Sequence, residues 1–262
     1  MGSALPWGGR GRPFESARSD HSCRASPGPP SRYNFQMPDL HRHSALVVVP
    51  AYNAARFLPE LIPRLRQFVC DDNLLVVNDG STDDTLEILQ QMGLNYISFP
   101  RNRGKGAALA AAFDYAVTKG YRSVLAIDAD LQHLPEEIPR FFAADDGRRV
   151  VIGTRRIDLA IMPFDRWLTN NLTSLIVSIF STQRVRDSQS GFRLVPSWAI
   201  RAIHLKTARY DFESEMLFKL GAVGCPIAEV PISTVYSGTP SFINPLRDTL
   251  RFIRQIWRRI WM

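Results

Sequence analysis

Short apolar runs alternate with segments of helical spacing from residue 45 onwards. The runs are β-branched and aliphatic without polar alternation, which is typical of parallel strands covered on both faces. Five strands are predicted, at 45–49, 73–77, 95–99, 123–127 and 149–153. Helices are predicted at 56–68, 81–92, 104–120 and 166–180, with Ser81 or Thr82 able to cap the second. The pattern predicts an α/β fold with a mostly parallel sheet flanked by helices.

The two ends of the chain differ from this middle part. Residues 1–43 are rich in Pro, Gly, Ser and Arg without apolar periodicity, so we predict a disordered tail. A single globular domain is predicted at 44–245. Residues 246–262 form a basic amphipathic pattern, with an arginine-rich face and a Trp-bearing apolar face. This pattern is typical of a helix at a membrane surface, and a terminal helix packed on its own domain fits it equally well.

The net charge of +7 lies in these two ends, with +3 in residues 1–44 and +4 in residues 247–262. A neutral middle part argues against a nucleic-acid groove and favours contact of the ends with an anionic membrane surface. No stretch reaches the roughly 18 to 20 apolar residues of a transmembrane helix. The three cysteines form no CxxC pair, which argues against disulfides and zinc. We therefore expect a cytoplasmic protein, peripheral at a membrane.

Polar residues follow the apolar runs, where parallel α/β sheets bind their ligands. They are Pro50, Tyr52 and Asn53 after the first run, 78–81 after the second, 128–130 after the fourth and 153–155 after the fifth. Asp128 and Asp130 repel each other in one cleft unless a cation neutralises them. Mg²⁺ or Mn²⁺ fits best, because these ions take carboxylates together with substrate phosphates. A solvated turn or a helix cap is the structural alternative for so short a motif.

The segment 101–109 supplies two glycines and Lys105 at a predicted helix start, where free backbone N–H groups favour an anion. It is not a Walker A loop, because no Ser or Thr follows the lysine. The first strand is followed by PAYNAAR and not by Gly-x-Gly, so a dinucleotide fingerprint is also missing. These absences argue against an ATPase and a dehydrogenase.

Six motifs occur in order along the chain: VVVPAYN, VVNDGSTDDT, NRGKGAAL, DADLQH, IGTR and DSQSGFR. Together they resemble family 2 glycosyltransferases of the Rossmann-like GT-A fold, in the branch of dolichol-phosphate mannosyltransferase and its bacterial polyprenyl-phosphate relatives. The resemblance runs from about Ala45 to Phe252. It implies an inverting transfer of a mannose- or glucose-type sugar from a nucleotide-diphosphate sugar to a polyprenyl phosphate, with Mg²⁺ or Mn²⁺ as cofactor.

The resemblance also implies roles for individual residues. The predicted donor contacts are Pro50, Tyr52, Asn53, Asp79, Lys105, Asp128 and Ala129. The predicted metal ligands are Asp128, Asp130 and Gln132. The predicted catalytic residues, at the metal, the donor phosphates and the acceptor side, are Asp130, Arg155, Asp187 and Arg193. His133 is interpreted as a neighbour of the site.

Two positions depart from the family pattern. Ala54 stands where the family usually has a glutamate that helps to recognise the base. Residues 237–241 carry no charge, where relatives have acidic and basic residues including a lysine that grips phosphate. Two alternatives follow: a hydroxyl acceptor, which needs a carboxylate base such as Asp187, Glu213 or Glu215, and a donor-binding relative without turnover.

Overall fold

The structure is a computed structural model that describes residues 45–155, 164–181, 183–203 and 212–233. Its strands are β1 (Ala45–Ala51), β2 (Leu74–Asn78), β3 (Asn95–Ser98), β4 (Ser123–Ala126), β5 (Val150–Arg155), β6 (Arg193–Pro196) and β7 (Ile227–Ile232). Its α-helices are α1 (Leu58–Leu65), α2 (Thr85–Gln91), α3 (Lys105–Lys119), α4 (Ile138–Ala144), α5 (Phe164–Ser181), α6 (Ser197–Ala202) and α7 (Phe212–Ala222). Short 3-10 helices cover Asp71–Asn73 and Pro135–Glu137.

The strands form one sheet in the order β3-β2-β1-β4-β6-β5-β7. Strand β6 runs antiparallel to both of its neighbours, and the other pairs are parallel. This confirms the predicted fold class and all five predicted strands. Strands β6 and β7 were not predicted, because β6 begins with the charged Arg193 and ends at Pro196, and β7 contains Glu229 and Pro231. A proline inside a strand is tolerated at a sheet edge, where β7 lies.

The hydrophobic core lies in two layers, one on each face of the sheet. Along β1, Leu46 and Val48 pack into one layer, with residues of α3 and α7, while Val47 and Val49 pack into the other, with residues of α1 and α4. Successive strand residues point to opposite faces, so both sets must be apolar. The unbroken apolar runs are therefore a direct consequence of helices on both faces.

The third predicted strand is an exception to this rule. Residues of β3 alternate between intermediate and exposed, and Tyr96 is 37% exposed. The prediction that both faces of this run are covered was wrong, because β3 is the first strand of the sheet order and has one neighbour, β2.

The four predicted helices are confirmed as α1, α2, α3 and α5. The predicted cap of α2 was wrong: the helix begins at Thr85, and Asp84 occupies the N-cap position without a side-chain capping bond. Ser81 and Thr82 instead bond to Asn53 in the loop after β1.

The predicted tail at 1–43 and the predicted C-terminal helix at 246–262 lie outside the described residues. So do residues 237–241, the uncharged stretch of the sequence. Within the ranges that the structure describes, no helix combines the length and the apolar character needed to cross a bilayer.

Gly80 lies in the turn after β2, where φ is +65°. A Cβ atom there would clash with the backbone of Arg101 and Asn102. Gly93 has the same φ of +65° but open space around the position of its Cβ. The two glycines therefore separate the cost of a left-handed backbone from the cost of a close backbone approach.

We expect Gly80→Ala to lower the free energy of unfolding by about 4 kcal/mol, because neither backbone can move without breaking the loop. Gly93→Ala is the control and should lower it by about 1 kcal/mol, the cost of a left-handed alanine. Urea unfolding followed by circular dichroism measures both. Equal losses in the two variants would show that the close approach at Gly80 does not matter.

Candidate active site

The carboxyl ends of β1, β2, β4 and β5 meet at one edge of the sheet, because these strands are parallel to one another. Strand β6 runs the other way, so its amino end lies at the same edge. The segment 183–192, which precedes β6, therefore reaches the loops that follow the other strands. The sequence predicted four of these polar segments at one edge, and the antiparallel strand adds the fifth.

Asn53 links the loops after β1 and β2. Its backbone N–H donates to Ser81 Oγ at 2.9 Å, and its side-chain Oδ1 accepts from the N–H of Thr82 at 2.9 Å. Asn53 has a left-handed φ of 51°, which asparagine tolerates better than most residues. Tyr52, beside it, is 51% exposed. The ring of Tyr52 is thus accessible to a ligand, while the side-chain oxygen of Asn53 is hydrogen-bonded to the neighbouring loop.

Asp79 fixes the loop that leads into α3. Its carboxylate accepts hydrogen bonds from the backbone N–H of Arg103 at 2.7 Å and of Gly104 at 2.8 Å. Gly104 is the N-cap residue of α3. The buried Asp79 carboxylate thus supplies an anion at this helix start, where the sequence predicted that one would be favoured.

Lys105 does begin α3, as predicted, but its ammonium is held by two carboxylates. Nζ lies 2.6 Å from Oδ1 of Asp128 and 3.0 Å from Oε1 of Glu213. Burial alone lowers the pKa of Lys105, but the charges of Asp128 and Glu213 outweigh it and raise the pKa above its usual value. The ammonium therefore stays charged. No motif in the sequence indicated that Glu213, in α7, would share this ammonium.

The two aspartates of DAD differ in their surroundings. Burial raises the pKa of Asp128, but the charges of Lys105 and Arg193 outweigh it and hold the pKa below its usual value. The pKa of Asp130 is raised, first by burial and then by the charge of Asp128. Ala129 between them is buried in the core. Asp128 is therefore already paired with a cation, while the charges of Asp128 and Asp130 repel each other.

Asp130 has a carboxylate oxygen that is available to a further ligand. Its Oδ1 accepts a hydrogen bond from the backbone N–H of Gln132 at 3.1 Å, across Leu131 with its left-handed φ of 61°. Its Oδ2 has no hydrogen-bond or ion-pair partner among the described side chains.

A divalent cation fits these residues. It would relieve the repulsion between Asp128 and Asp130 that raises the pKa of Asp130. No group of three His, Cys, Asp or Glu side chains in the described part of the chain forms a complete cage. Mg²⁺ and Mn²⁺ are commonly held by one or two carboxylates, with substrate phosphates completing the shell. The donor set is of that incomplete, oxygen-rich kind.

His133 is a buried neighbour of this pair. Its Nε2 lies 4.0 Å from Oδ2 of Asp128, and its ring lies 5.5 Å from the ring of Phe192. Burial lowers the pKa of His133 to about 4, so the imidazole is neutral at pH 7. Gly191 packs so close to Asp128 that a Cβ there would clash with its carboxylate.

Arg155 and Asp187, both predicted from the sequence, form a bidentate ion pair. Nε of Arg155 lies 2.6 Å from Oδ2 of Asp187, and Nη2 lies 2.8 Å from Oδ1. Burial raises the pKa of Asp187, but the hydrogen bonds and charge of Arg155 outweigh it and lower the pKa below its usual value. A carboxylate held in this way orients an arginine and is a poor general base.

Arg193, predicted at the acceptor side, is a buried side chain bonded to the backbone. It is only 2% exposed, and its guanidinium donates to the backbone carbonyls of Ser190 at 2.6 Å, Ser188 at 2.6 Å and Glu213 at 3.0 Å. These bonds tie the segment before β6 to the start of α7. The geometry favours a positioning role, because the side chain is buried and directed to the backbone.

The ion pair of Arg155 and Asp187 predicts a pH-dependent loss in Asp187→Asn. A lowered pKa in the folded state contributes stability that is present above the unfolded value of about 3.9 and is lost as the pH falls through the folded value. We expect Asp187→Asn to lower the free energy of unfolding by about 3 kcal/mol at pH 7. The difference from wild type should shrink below about pH 4.

Urea unfolding between pH 7 and pH 3 measures this difference. Asp114→Asn, at an exposed position of α3, is the control and should track wild type at every pH. A loss in Asp187→Asn that is the same at all pH values would contradict the ion-pair assignment.

Solved structures share this architecture. Glucosyl-3-phosphoglycerate synthase from Mycobacterium tuberculosis, in complex with Mn²⁺, uridine-diphosphate-glucose and phosphoglyceric acid, superposes with a TM-score of 0.68. The match covers 87% of this chain and 85% of that chain at 22% sequence identity. The likeness confirms the predicted GT-A fold.

Two relatives of named activity match most of the chain. An undecaprenyl-phosphate mannosyltransferase of Micrococcus luteus is 31% identical over 201 residues, which are 72% of this chain and 83% of the relative. A UDP-N-acetylglucosamine–dolichyl-phosphate N-acetylglucosaminyltransferase of Methanococcus voltae is 27% identical over 215 residues, which are 73% of this chain and 85% of the relative.

The family model described as glycosyl transferase family 2 matches residues 46–207. This span includes β1 to β6 and every predicted site residue. Since it covers more than half of the chain, and the resemblance of the six motifs is thereby confirmed, the protein belongs to glycosyl transferase family 2.

Proposed function

We propose that this protein is an inverting glycosyltransferase that moves a mannose- or glucose-type sugar from a nucleotide-diphosphate sugar to a polyprenyl phosphate, with a divalent cation. The two named relatives transfer different sugars, but both names specify a polyprenyl-type lipid phosphate as acceptor. The acceptor class is thus what these relatives have in common, and the sugar is what varies between them.

The observation that carries the choice of acceptor is the state of the three carboxylates that were candidates for a general base. Asp187 is paired with Arg155, Glu213 with Lys105, and Glu215 lies 2.7 Å from Nζ of Lys219. A hydroxyl acceptor requires a general base to remove its proton. All three candidate bases are held in ion pairs, so the structure favours an acceptor that needs no base.

A phosphate monoester is such an acceptor. Its second pKa is about 6, so its oxygen is already an anionic nucleophile at neutral pH. Direct attack of this oxygen on the anomeric carbon forms the new C–O bond as the bond to the nucleoside diphosphate breaks, which inverts that centre. The protein then has to bind and align two phosphorylated molecules, and proton transfer to a side chain is unnecessary.

Asp128, Asp130 and Gln132 would hold the cation on the donor side. A bound Mg²⁺ or Mn²⁺ supplies stabilisation of the charge that develops on the leaving diphosphate. Asp130 offers an Oδ2 that has no side-chain partner within the described ranges, and its backbone link to Gln132 brings that residue to the same turn. Arg155, oriented by two hydrogen bonds to Asp187, places a positive charge at the same edge of the sheet, where it would attract the donor phosphates.

We also propose that the protein acts while peripheral at the cytoplasmic face of a membrane. A polyprenyl phosphate carries an apolar chain, so its phosphate is found at a lipid surface. The basic amphipathic pattern at 246–262 supports this location, and so does the concentration of positive charge in the two ends of the chain.

The metal assignment predicts that Asp130→Ala reduces sugar transfer by at least about 100-fold, because the cation loses its unpaired carboxylate. Purified protein is incubated with Mn²⁺, a nucleotide sugar selected by thermal stabilisation and a polyprenyl phosphate, and the lipid-linked sugar is quantified. Asp114→Asn, exposed on α3, is the control and should keep wild-type activity. Full activity in Asp130→Ala would exclude this aspartate as a metal ligand.

The acceptor assignment predicts transfer to a polyprenyl phosphate but not to the corresponding polyprenol or to a free saccharide. The product should be cleaved by mild acid, because a glycosyl phosphate is acid-labile whereas a glycosidic bond to a sugar hydroxyl survives. A product stable to mild acid would favour the hydroxyl acceptor. Calorimetry that detects metal-dependent nucleotide binding without any transfer would favour a donor-binding relative without turnover.

A further inference from the structure

Glu213 lies outside the motifs that follow the strands, in the first turn of α7, and it is buried. Its Oε1 lies 3.0 Å from Nζ of Lys105, and the same ammonium lies 2.6 Å from Oδ1 of Asp128. One ammonium thus joins a carboxylate of α7 to the first carboxylate of the DAD motif. The backbone oxygen of Glu213 accepts a hydrogen bond from Arg193 at 3.0 Å, which fixes where α7 presents this side chain.

The charges of this group of residues favour a cation. Asp128, Asp130 and Glu213 contribute three carboxylates, while Lys105 and the buried Arg193 contribute two positive charges, so one negative charge remains in excess. Without the charge of Glu213, the Lys105 ammonium would be left to Asp128 alone.

We propose that Glu213 is a positioning residue for the donor and metal site: it shares the Lys105 ammonium with Asp128, and so keeps Asp128 able to bind the donor and its cation. This inference rests on the proposed function. Glu213 needs no contact with the cation or the sugar, since it acts through Lys105. It is also distinct from the alternative in which Glu213 is a general base, because a base must reach the acceptor.

The physical reason is competition: Asp128 and Glu213 compete for one ammonium, and the ammonium and the metal compete for Asp128. An ammonium that has a single carboxylate partner forms a tight, locally neutral pair, and a metal then has to displace it from Asp128. An ammonium placed between two carboxylates interacts with both, so neither is fully neutralised. Glutamine in place of Glu213 keeps the size of the side chain and an oxygen for the hydrogen bond, but it removes the competing charge.

Binding of Mn²⁺ tests this without any turnover. Free Mn²⁺ is measured by its electron paramagnetic resonance signal during titration into full-length protein, in the presence of UDP or GDP, whichever stabilises the wild type. We expect Glu213→Gln to weaken Mn²⁺ binding roughly tenfold, the size of one lost charged interaction. Glu215→Gln is the matched control: Glu215 is buried on the same helix and pairs with Lys219, so its loss should change Mn²⁺ binding less than about twofold.

A double-mutant cycle tests the route through Lys105. If Glu213 acts only through this ammonium, adding Glu213→Gln to Lys105→Met should change Mn²⁺ binding by less than about twofold. Effects that simply multiply would show that Glu213 acts independently of Lys105 and would overturn the proposal. Glu213→Asp keeps the charge with a shorter reach, and it should bind Mn²⁺ more tightly than Glu213→Gln.

The possible failures are distinguishable. A wild-type protein that binds no Mn²⁺ with nucleotide would overturn the metal assignment in the proposed function. Wild-type binding that is retained in Glu213→Gln would overturn only the role of Glu213. Thermal unfolding of each variant identifies misfolded protein. If Glu213→Gln does not fold, Glu213→Asp in the same titration decides: wild-type-like binding supports a charge role, and a loss of about tenfold overturns it.

Discussion

Arg193 occupies the amino end of β6, where its buried guanidinium donates to the carbonyl oxygens of Ser188, Ser190 and Glu213. A buried charge is costly unless it is hydrogen-bonded, and here three backbone acceptors supply the bonds. The same contacts join the segment before β6 to the first turn of α7. That segment carries Asp187, and that turn carries Glu213. Arg193 therefore positions the backbone of two residues that form ion pairs in the site.

Those ion pairs give the charged residues at this edge of the sheet different roles. Asp187 orients Arg155, and Glu213 shares Lys105 with Asp128. The pKa of Asp130 is raised, because it is buried and faces the charge of Asp128. In this site most carboxylates are neutralised by ion pairs, while Asp130 is repelled by its neighbour. Such a site is suited to bind a cation together with a phosphorylated ligand. It is poorly suited to general-base chemistry.

The prediction from sequence worked best where a pattern has a local cause. The apolar runs of β1, β2, β4 and β5 reflect helices on both faces, and the residues after them had to lie at one edge. It failed where neighbours decide: β3 has an exposed face because it has one partner strand, and β6 begins with Arg193, whose charge is buried only through distant backbone partners. The cap of α2 failed for the same reason, since Ser81 and Thr82 bond to Asn53, far away in sequence.

The sequence by itself determined the α/β class, the order of the motifs, and the presence of Asp128, Asp130 and Gln132 just after a buried strand. Hydrophobic periodicity and residue type are local properties, so they can be read along the chain. Only the tertiary structure decided which charges are paired. Lys105 meets Glu213 across more than one hundred residues, and Arg193, expected at the acceptor, turns out to be buried against the backbone. Such pairings depend on which strand lies beside which, and the antiparallel direction of β6 sets that arrangement at this edge.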